Sequence, residues 1–255
     1  MKEIEKSDII RDKIKKSQTS PLKVYKELTV GSSSFLGFLF YEIATSVLGP
    51  MPGGLGFFLR KKFYPKLFKK VGRGIIIGRN VVIRHPNKIS IGEFVTIDDN
   101  CVIDGRGSGD KGLTIEDQVI LNRNCMILAK TGYIRLGKRT SLGSNSVIVS
   151  MSGVDIGEAV LTAGNCYISA GLYKFDDLDI PVMDQTAYSK GPIIIGEHSW
   201  FGTSVTILDG VKIGKGVVVG ASAVVNKDIE DYSIAIGIPA KVVRKRNELK
   251  EEKRI

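Results

Sequence analysis

The chain has 255 residues, 43% of them hydrophobic, with 37 Lys and Arg against 27 Asp and Glu and a formal net charge of +10. That hydrophobic share supports a real core, while 29 Gly beside only 7% aromatics points to many turns rather than a few long helices. Three Cys cannot build a disulfide framework and suggest a reducing compartment, and two His cannot supply a three-His zinc centre from one chain.

The charge sits at the two ends: residues 1–73 carry a net +9, residues 74–240 a net −3 and residues 241–255 a net +4. A nucleic-acid binder more often sets its cations and stacking aromatics on the folded domain itself, so nucleic acid is not an expected partner. The first 30 residues are charged and lack the apolar core of a signal peptide, which makes a cytoplasmic location the expectation.

In chain order, residues 1–30 show helical spacing at Ile10–Ile14 and again at Leu22–Leu28. Residues 35–59 are strongly apolar but break at the G-P-M-P-G-G run of Gly49–Gly54, short of the roughly 20 uninterrupted residues of a membrane-crossing helix. Two short apolar helices hinged there are expected. The second runs into RKKFYPKLFKKVGR (60–73), where basic residues interleave with Phe63, Tyr64, Leu67 and Phe68. Residues 35–70 fit an interfacial membrane anchor. They equally fit a cap on the following domain or an oligomer contact.

From residue 75 the sequence is periodic in six. Aliphatic or aromatic residues recur at Ile77, Ile83, Ile91, Ile97, Ile103, Ile115, Leu121, Ile127, Leu136, Leu142, Ile148 and Ile156. The series continues through Thr162 and Ile168, then Ile195, Phe201, Ile207, Ile213, Val219 and Val225. Counted in threes, every step longer than six falls at the same point: 83→91, 103→115, 127→136, 148→156 and 168→195. A three-sided coil of short parallel strands whose insertions all leave by one corner produces that pattern.

The register also makes an inward column of Val81, Cys101, Cys125, Ser146, Cys166, Val205 and Ala223, which assigns all three cysteines to the core. One residue earlier stand Asn80, Asn100, Asn124, Asn145, Asn165, Ser204 and Ser222, suited to a corner that needs left-handed backbone. Their stacked amides can form a ladder. His198 falls at the matching corner of the first face, and His85 at a turn before Pro86. The expected fold is all-β: a parallel β-helix of six to seven coils over 75–228, capped by a helical segment at 1–74. Residues 229–255 return over the far end and finish in a short charged helix.

The run IIIGEHSWFGTSVTILDGVKIGKGVVVGASAVVNKDIEDYSIAIGIPAKVVRKR resembles the hexapeptide-repeat acyltransferases, and the resemblance extends from Ile75 to Arg246 with a specific G-x-P-A-K ending at Gly237–Lys241. It implies a left-handed β-helix, against the usual right-handed crossover, and a homotrimer with acetyl-CoA lying between neighbouring prisms. Carried over residue by residue, it places Gly202, Gly220, Ala221 and Ser222 beside the pantetheine arm. Lys227, Pro239, Lys241 and Arg244 match positions near the nucleotide, where cations suit a polyanion. Trp200 matches a residue near the acyl end.

The loop Ser169–Pro192 resembles the family's active-site loop, including D-x-P-x-x-x-Q at Asp179, Pro181 and Gln185. In the family it carries the histidine that deprotonates the acceptor hydroxyl, a service typically worth about 10²–10⁴-fold. Here Gly171, Leu172, Tyr173 and Lys174 fill that window. Tyr173, Lys174, Asp176 and Asp177 are the candidate substitutes. An amine acceptor that needs no strong base, or a trimeric scaffold without catalysis, are the alternatives. The resemblance implies acetyl transfer to a sugar of a surface glycan or lipid-linked precursor.

Overall fold

The computed structural model describes residues 2–4, 20–31 and 34–248. The helix expected at Ile10–Ile14 and residues 249–255 lie outside them.

Three parallel sheets wind into a left-handed prism. On the first face the six-step residues 77, 97, 121, 142, 162, 201 and 219 sit in strands paired coil to coil, as Ile76–Ile77 with Thr96–Ile97 and Trp200–Phe201 with Val218–Val219. The second face carries 83 to 225 and the third 91 to 213, each a seven-stranded sheet. Every six-step residue named above is buried. The alternation of one inward and one outward residue is the period of two of any strand. A slip of one residue would turn the whole ladder to solvent, so the pattern locks the register. The third face begins earlier than the periodicity suggests, with Lys70–Val71 paired to Ser90–Ile91.

The corner between the first and second faces is built by the Asn column. All five Asn, with Ser204 and Ser222, have φ between 55° and 61°. Asn80 Nδ2 donates to Asn100 Oδ1 at 3.2 Å and Asn124 Nδ2 to Asn145 Oδ1 at 2.9 Å, so the amide ladder forms in pairs. His198 turns the corner between the third and first faces at φ 60°. Cys101, Cys125 and Cys166 are buried in the inner column, and burial pushes the Cys166 thiol up, away from a reactive thiolate.

Three helices cover the starting end: α1 (Pro21–Thr29), α2 (Phe35–Ile43), which continues as a π turn through Leu48, and α3 (Gly53–Phe63). They close the open edge that a first coil leaves. Tyr41 of α2 donates its hydroxyl to Ile83 O at 2.6 Å, and burial pushes that phenol up to about 12. His85, itself in the left-handed region, donates its backbone N–H to Thr29 O at 2.7 Å, and its Nε2 lies 3.0 Å from Glu27 O.

Arg60 of α3 is buried and its partners are carbonyls. Nε donates to Ile77 O at 3.0 Å, and Nη1 to Leu48 O at 3.1 Å and Met51 O at 2.7 Å. One guanidinium thus joins the end of the π turn, the hinge and the first coil. Arg60→Met keeps the volume but strands those carbonyls. It should cost about 2–3 kcal/mol, read as a lower denaturant midpoint at unchanged slope.

At the far end the charged tail departs from expectation. Lys241–Lys245 is a strand, antiparallel to Ser233–Ile236, and is followed by a turn at 246–247. Ser233–Ile236 would otherwise leave an unpaired sheet edge, and Val242 and Val243 suit a strand better than a helix. Over residues 243–245 the expected helix is therefore corrected to this capping strand, and the part of it from 249 lies outside the described residues. Nor does all of 1–74 serve the cap: Lys2–Ile4 pairs antiparallel with Ala187–Ser189, far along the column.

Candidate functional site

The long loop leaves the second face after Tyr167–Ala170 and rejoins the third at Ile193–Ile195. Leu172–Tyr173 and Ala187–Ser189 pair antiparallel, and Lys2–Ile4 makes the third strand of this small sheet. Two braces hold it. At its root, Asp209 is buried and accepts from Ser189 Oγ at 2.8 Å and from Lys190 N at 2.6 Å. Within the loop, the buried Gln185 donates from Nε2 to Asp177 O at 2.7 Å and Ile180 O at 2.8 Å, and its Oε1 accepts from Asp177 N at 3.3 Å. One side chain closes the turn that Pro181 and Asp179 shape.

The candidate bases lie on the loop's open side. Tyr173, Lys174, Asp176 and Asp177 are all exposed. Asp177 Oδ1 accepts from Asp179 N at 2.9 Å, so this carboxylate already works as a turn-former. His85 is bound to α1 at the first coil, four layers or roughly 19 Å from the coil that bears the loop. His198 is an exposed corner residue whose N–H donates to Glu158 O. Among the described residues, no group of three or more His, Cys, Asp or Glu is placed to hold a metal ion.

The residues matched to the donor gather at a different corner, the one between the first and second faces. Trp200 is half-exposed on the outer side of the first face, between Leu161 and Val218 in neighbouring coils. Gly202 and the Gly220–Ser222 turn form two successive steps of the corner, joined by Ser222 N donating to Thr203 O at 2.8 Å. A Cβ on Gly202 would stand 2.7 Å from Ala221 N and one on Gly220 would stand 2.8 Å from Ile236 Cγ2. Both glycines are thus required by the stacking of the coils, whatever lies outside.

The G-x-P-A-K turn folds over the same corner. Gly237 O accepts from Val224 N at 3.1 Å, and Ala240 N donates to Val224 O at 2.8 Å. That turn carries the exposed Pro239 and delivers Lys241 and Arg244 onto the strand that extends the first face beyond Trp200. Exposed Ile238 precedes the two cations and exposed Val242 lies between them in the chain. The corner therefore joins an indole, an apolar strip and a basic end. Lys227 stands apart, exposed beyond Val225 at the far end of the second face.

Of the residues matched to the donor by resemblance, Trp200, Gly202, Gly220, Ala221, Ser222, Pro239, Lys241 and Arg244 lie along the first face and its corner with the second, and Lys227 does not. Sequence reasoning missed Asp209 and Ser189, because nothing local marks a residue whose partner is 20 positions away. It also missed the three-residue strand Lys2–Ile4, too short to carry a pattern.

Two family models match the chain: the bacterial transferase hexapeptide (six repeats) over residues 192–227, and the hexapeptide repeat of succinyl-transferase over 133–173. Among curated relatives, a probable acetyltransferase of Mycobacterium tuberculosis, Rv3034c, is 43% identical over 120 residues, 47% of this chain and 40% of that protein. The putative lipopolysaccharide biosynthesis O-acetyl transferase WbbJ of Escherichia coli is 36% identical over 107 residues, 39% of this chain and 54% of WbbJ. A putative acetyltransferase of Staphylococcus aureus, SAV2555, is 58% identical over 59 residues, 23% of this chain and 30% of its own. The aligned segments thus span about a third to a half of these relatives.

Among solved structures, a variant of AntD, an N-acyltransferase from Bacillus cereus in complex with dTDP and coenzyme A, superposes with a TM-score of 0.52 at 22% identity, covering 78% of this chain and 96% of that one. That likeness speaks for the fold. The unbroken three-sided column and the repeat matched in two separate blocks agree, and the chain carries hexapeptide repeats similar to those of the acetyltransferase relatives it matches in part.

Proposed function

We propose that the protein transfers an acetyl group from acetyl-CoA to a sugar hydroxyl, in a homotrimer whose site forms between neighbouring prisms. The observation that carries this is the separation of the two half-sites. The donor-matched corner lies between the first and second faces, and the loop leaves from the corner between the second and third. A full face divides them in one chain, so a second copy is needed to set a loop against a donor corner.

Two further features support that assembly. The outer columns of the first and second faces are mostly apolar, with Ile120 and Leu161 on one and Met126 and Tyr167 on the other, though Thr96, Ser141 and Thr206 interrupt them. The third face instead carries an ion-pair ladder, Arg135 reaching Glu116 at 2.8 Å and Asp155 at 2.6 Å. The loop tip also projects apolar side chains, Leu178 being 96% exposed. In a soluble monomer such patches are costly.

In the reaction, the acceptor oxygen attacks the thioester carbonyl carbon, its proton passes to a base, and the C–S bond breaks to release the coenzyme A thiol. Lys241 and Arg244 would hold the nucleotide, and Trp200 would line the acyl end. Besides Asp177, which accepts a backbone N–H in the turn, Tyr173, Lys174 and Asp176 are the candidate groups to take the proton on this loop. The match to WbbJ supports a glycan hydroxyl as acceptor; an amino sugar is the second reading, because the loop carries no histidine.

Product formation is measured with hydroxy and amino sugars in parallel. Acetyl ester from the hydroxy sugars is the expected result, with a loss of about 10²-fold or more in one of the alanine variants at Tyr173, Lys174 and Asp176 and little change at Asp177. Amide product alone would replace O-transfer by N-transfer. No product from any acceptor, with acetyl-CoA unbound, would leave a scaffold.

A further inference from the structure

The inner side of the N-terminal cap is fully used: Phe38, Tyr41, Ala44 and Arg60 are buried against the first coil. Its outer side is not. On α2, Phe35, Leu36, Leu39 and Ile43 recur at helical spacing and are 45–75% exposed. On α3, Leu55 and Phe58 are 66% and 59% exposed, and Lys62 follows on the same stripe, one turn beyond Phe58.

Charge decides what fits this face. From Lys61 to Lys70 there is no acidic residue, and none of Lys61, Lys62, Lys66, Lys69 and Lys70 forms a salt bridge among the described residues. Lys62 and Lys66 flank the ring of Phe63, 5.6 and 5.5 Å from its centroid. The one acid of α2, Glu42, accepts from Tyr25 Oη at 3.0 Å. No helix among the described residues is long and apolar enough to cross a membrane. A second copy docked cap to cap would oppose the same lysines to each other.

We propose that this outer face docks on the surface of an anionic phospholipid bilayer, with the α2 and α3 side chains seated among the acyl chains and the lysines on the headgroups. The column then stands away from the bilayer. Its loop leaves the fifth coil, four layers or roughly 19 Å above the first, within reach of an acceptor carried on a lipid anchor. The docking itself does not depend on the acyl-transfer reading.

The test is sedimentation of the full chain with vesicles of phosphatidylcholine mixed with phosphatidylglycerol, and with vesicles of phosphatidylcholine alone. The protein is expected to pellet with the mixed vesicles and to be released by high salt. Leu36→Glu with Phe58→Glu, and separately Lys61→Glu with Lys62→Glu, should each weaken partitioning by about tenfold or more, with the circular dichroism and melting temperature unchanged. These side chains are exposed, so their replacement does not disturb the cap. A parent protein that stays in the supernatant, or variants that bind as it does, would overturn the proposal. So would variants that lower the oligomer mass of a protein indifferent to vesicles, since the face would then join copies. Acetyl transfer to a soluble acceptor is measured alongside and is expected to be unaffected by any of these outcomes.

Discussion

Acetyl-CoA is expected to raise the unfolding temperature of the parent protein, and Lys241→Glu to remove the rise. At 100 times the dissociation constant, a ligand that binds only the folded state adds about 2.7 kcal/mol. In a chain of this size each kcal/mol moves the midpoint by about 2–4 °C, so a shift of roughly 5–10 °C is expected. Lys241 is exposed on the strand that closes the first face, pairs through its backbone with Ile236 and supports no buried contact. Its reversal therefore leaves the column intact and sets a carboxylate against the phosphates. Lys227→Glu is the control. That lysine stands at the next corner, and its reversal should keep most of the shift. If Lys227→Glu removed the shift and Lys241→Glu kept it, the nucleotide end would lie at the other corner and the donor site drawn here would be wrong. Scanning fluorimetry on the three proteins decides the matter.

Gln185→Leu is expected to lower the turnover rate by about 10²-fold while leaving the shift caused by acetyl-CoA in place. The substitution keeps the size of the side chain and removes its three hydrogen bonds inside the loop. The freed carbonyls of Asp177 and Ile180 lie on an exposed loop and can turn to water, so global stability changes little. The cost falls on position. A displacement of about 1 Å in a group that must meet a reacting atom can lose about 10²-fold in rate. Gln185→Glu should behave alike, because a carboxylate cannot donate to those two carbonyls. Full turnover in both variants would show that the loop does not position the chemistry. Because Gln185 is remote from the donor corner of its own chain, this test separates loop from donor site, as Lys241→Glu does from the other side.

How much of this was legible in advance follows from the length scale of each feature. A coil of this prism repeats within about 20 residues, and each inward position is set by its neighbours two and six residues away. The burial of Ile127, the stacking of Cys101 on Cys125 and the left-handed turn at Asn124 are therefore local consequences of one register. The same holds for the donor corner: Gly202 and Gly220 each answer to the coil above.

The tail misled for the opposite reason. Its lysines and glutamates favour helix locally, yet the open edge at Ser233–Ile236 rewards pairing, and Lys241–Lys245 became a strand. Arg60 reads as one of seven basic residues between 60 and 73 until the fold buries it against four carbonyls.

The sequence alone settled the three-sided column, its register, the corner by which insertions leave and the place of the cysteines, because in a parallel coil every layer repeats the constraint of the last. Only the tertiary structure decided that Asp209 anchors the loop, that Lys2–Ile4 joins its sheet, and that the loop and the donor corner stand a full face apart. Those relations are made between residues distant in sequence, whose meeting depends on loop closure and edge pairing rather than on period, and no window along the chain contains both partners.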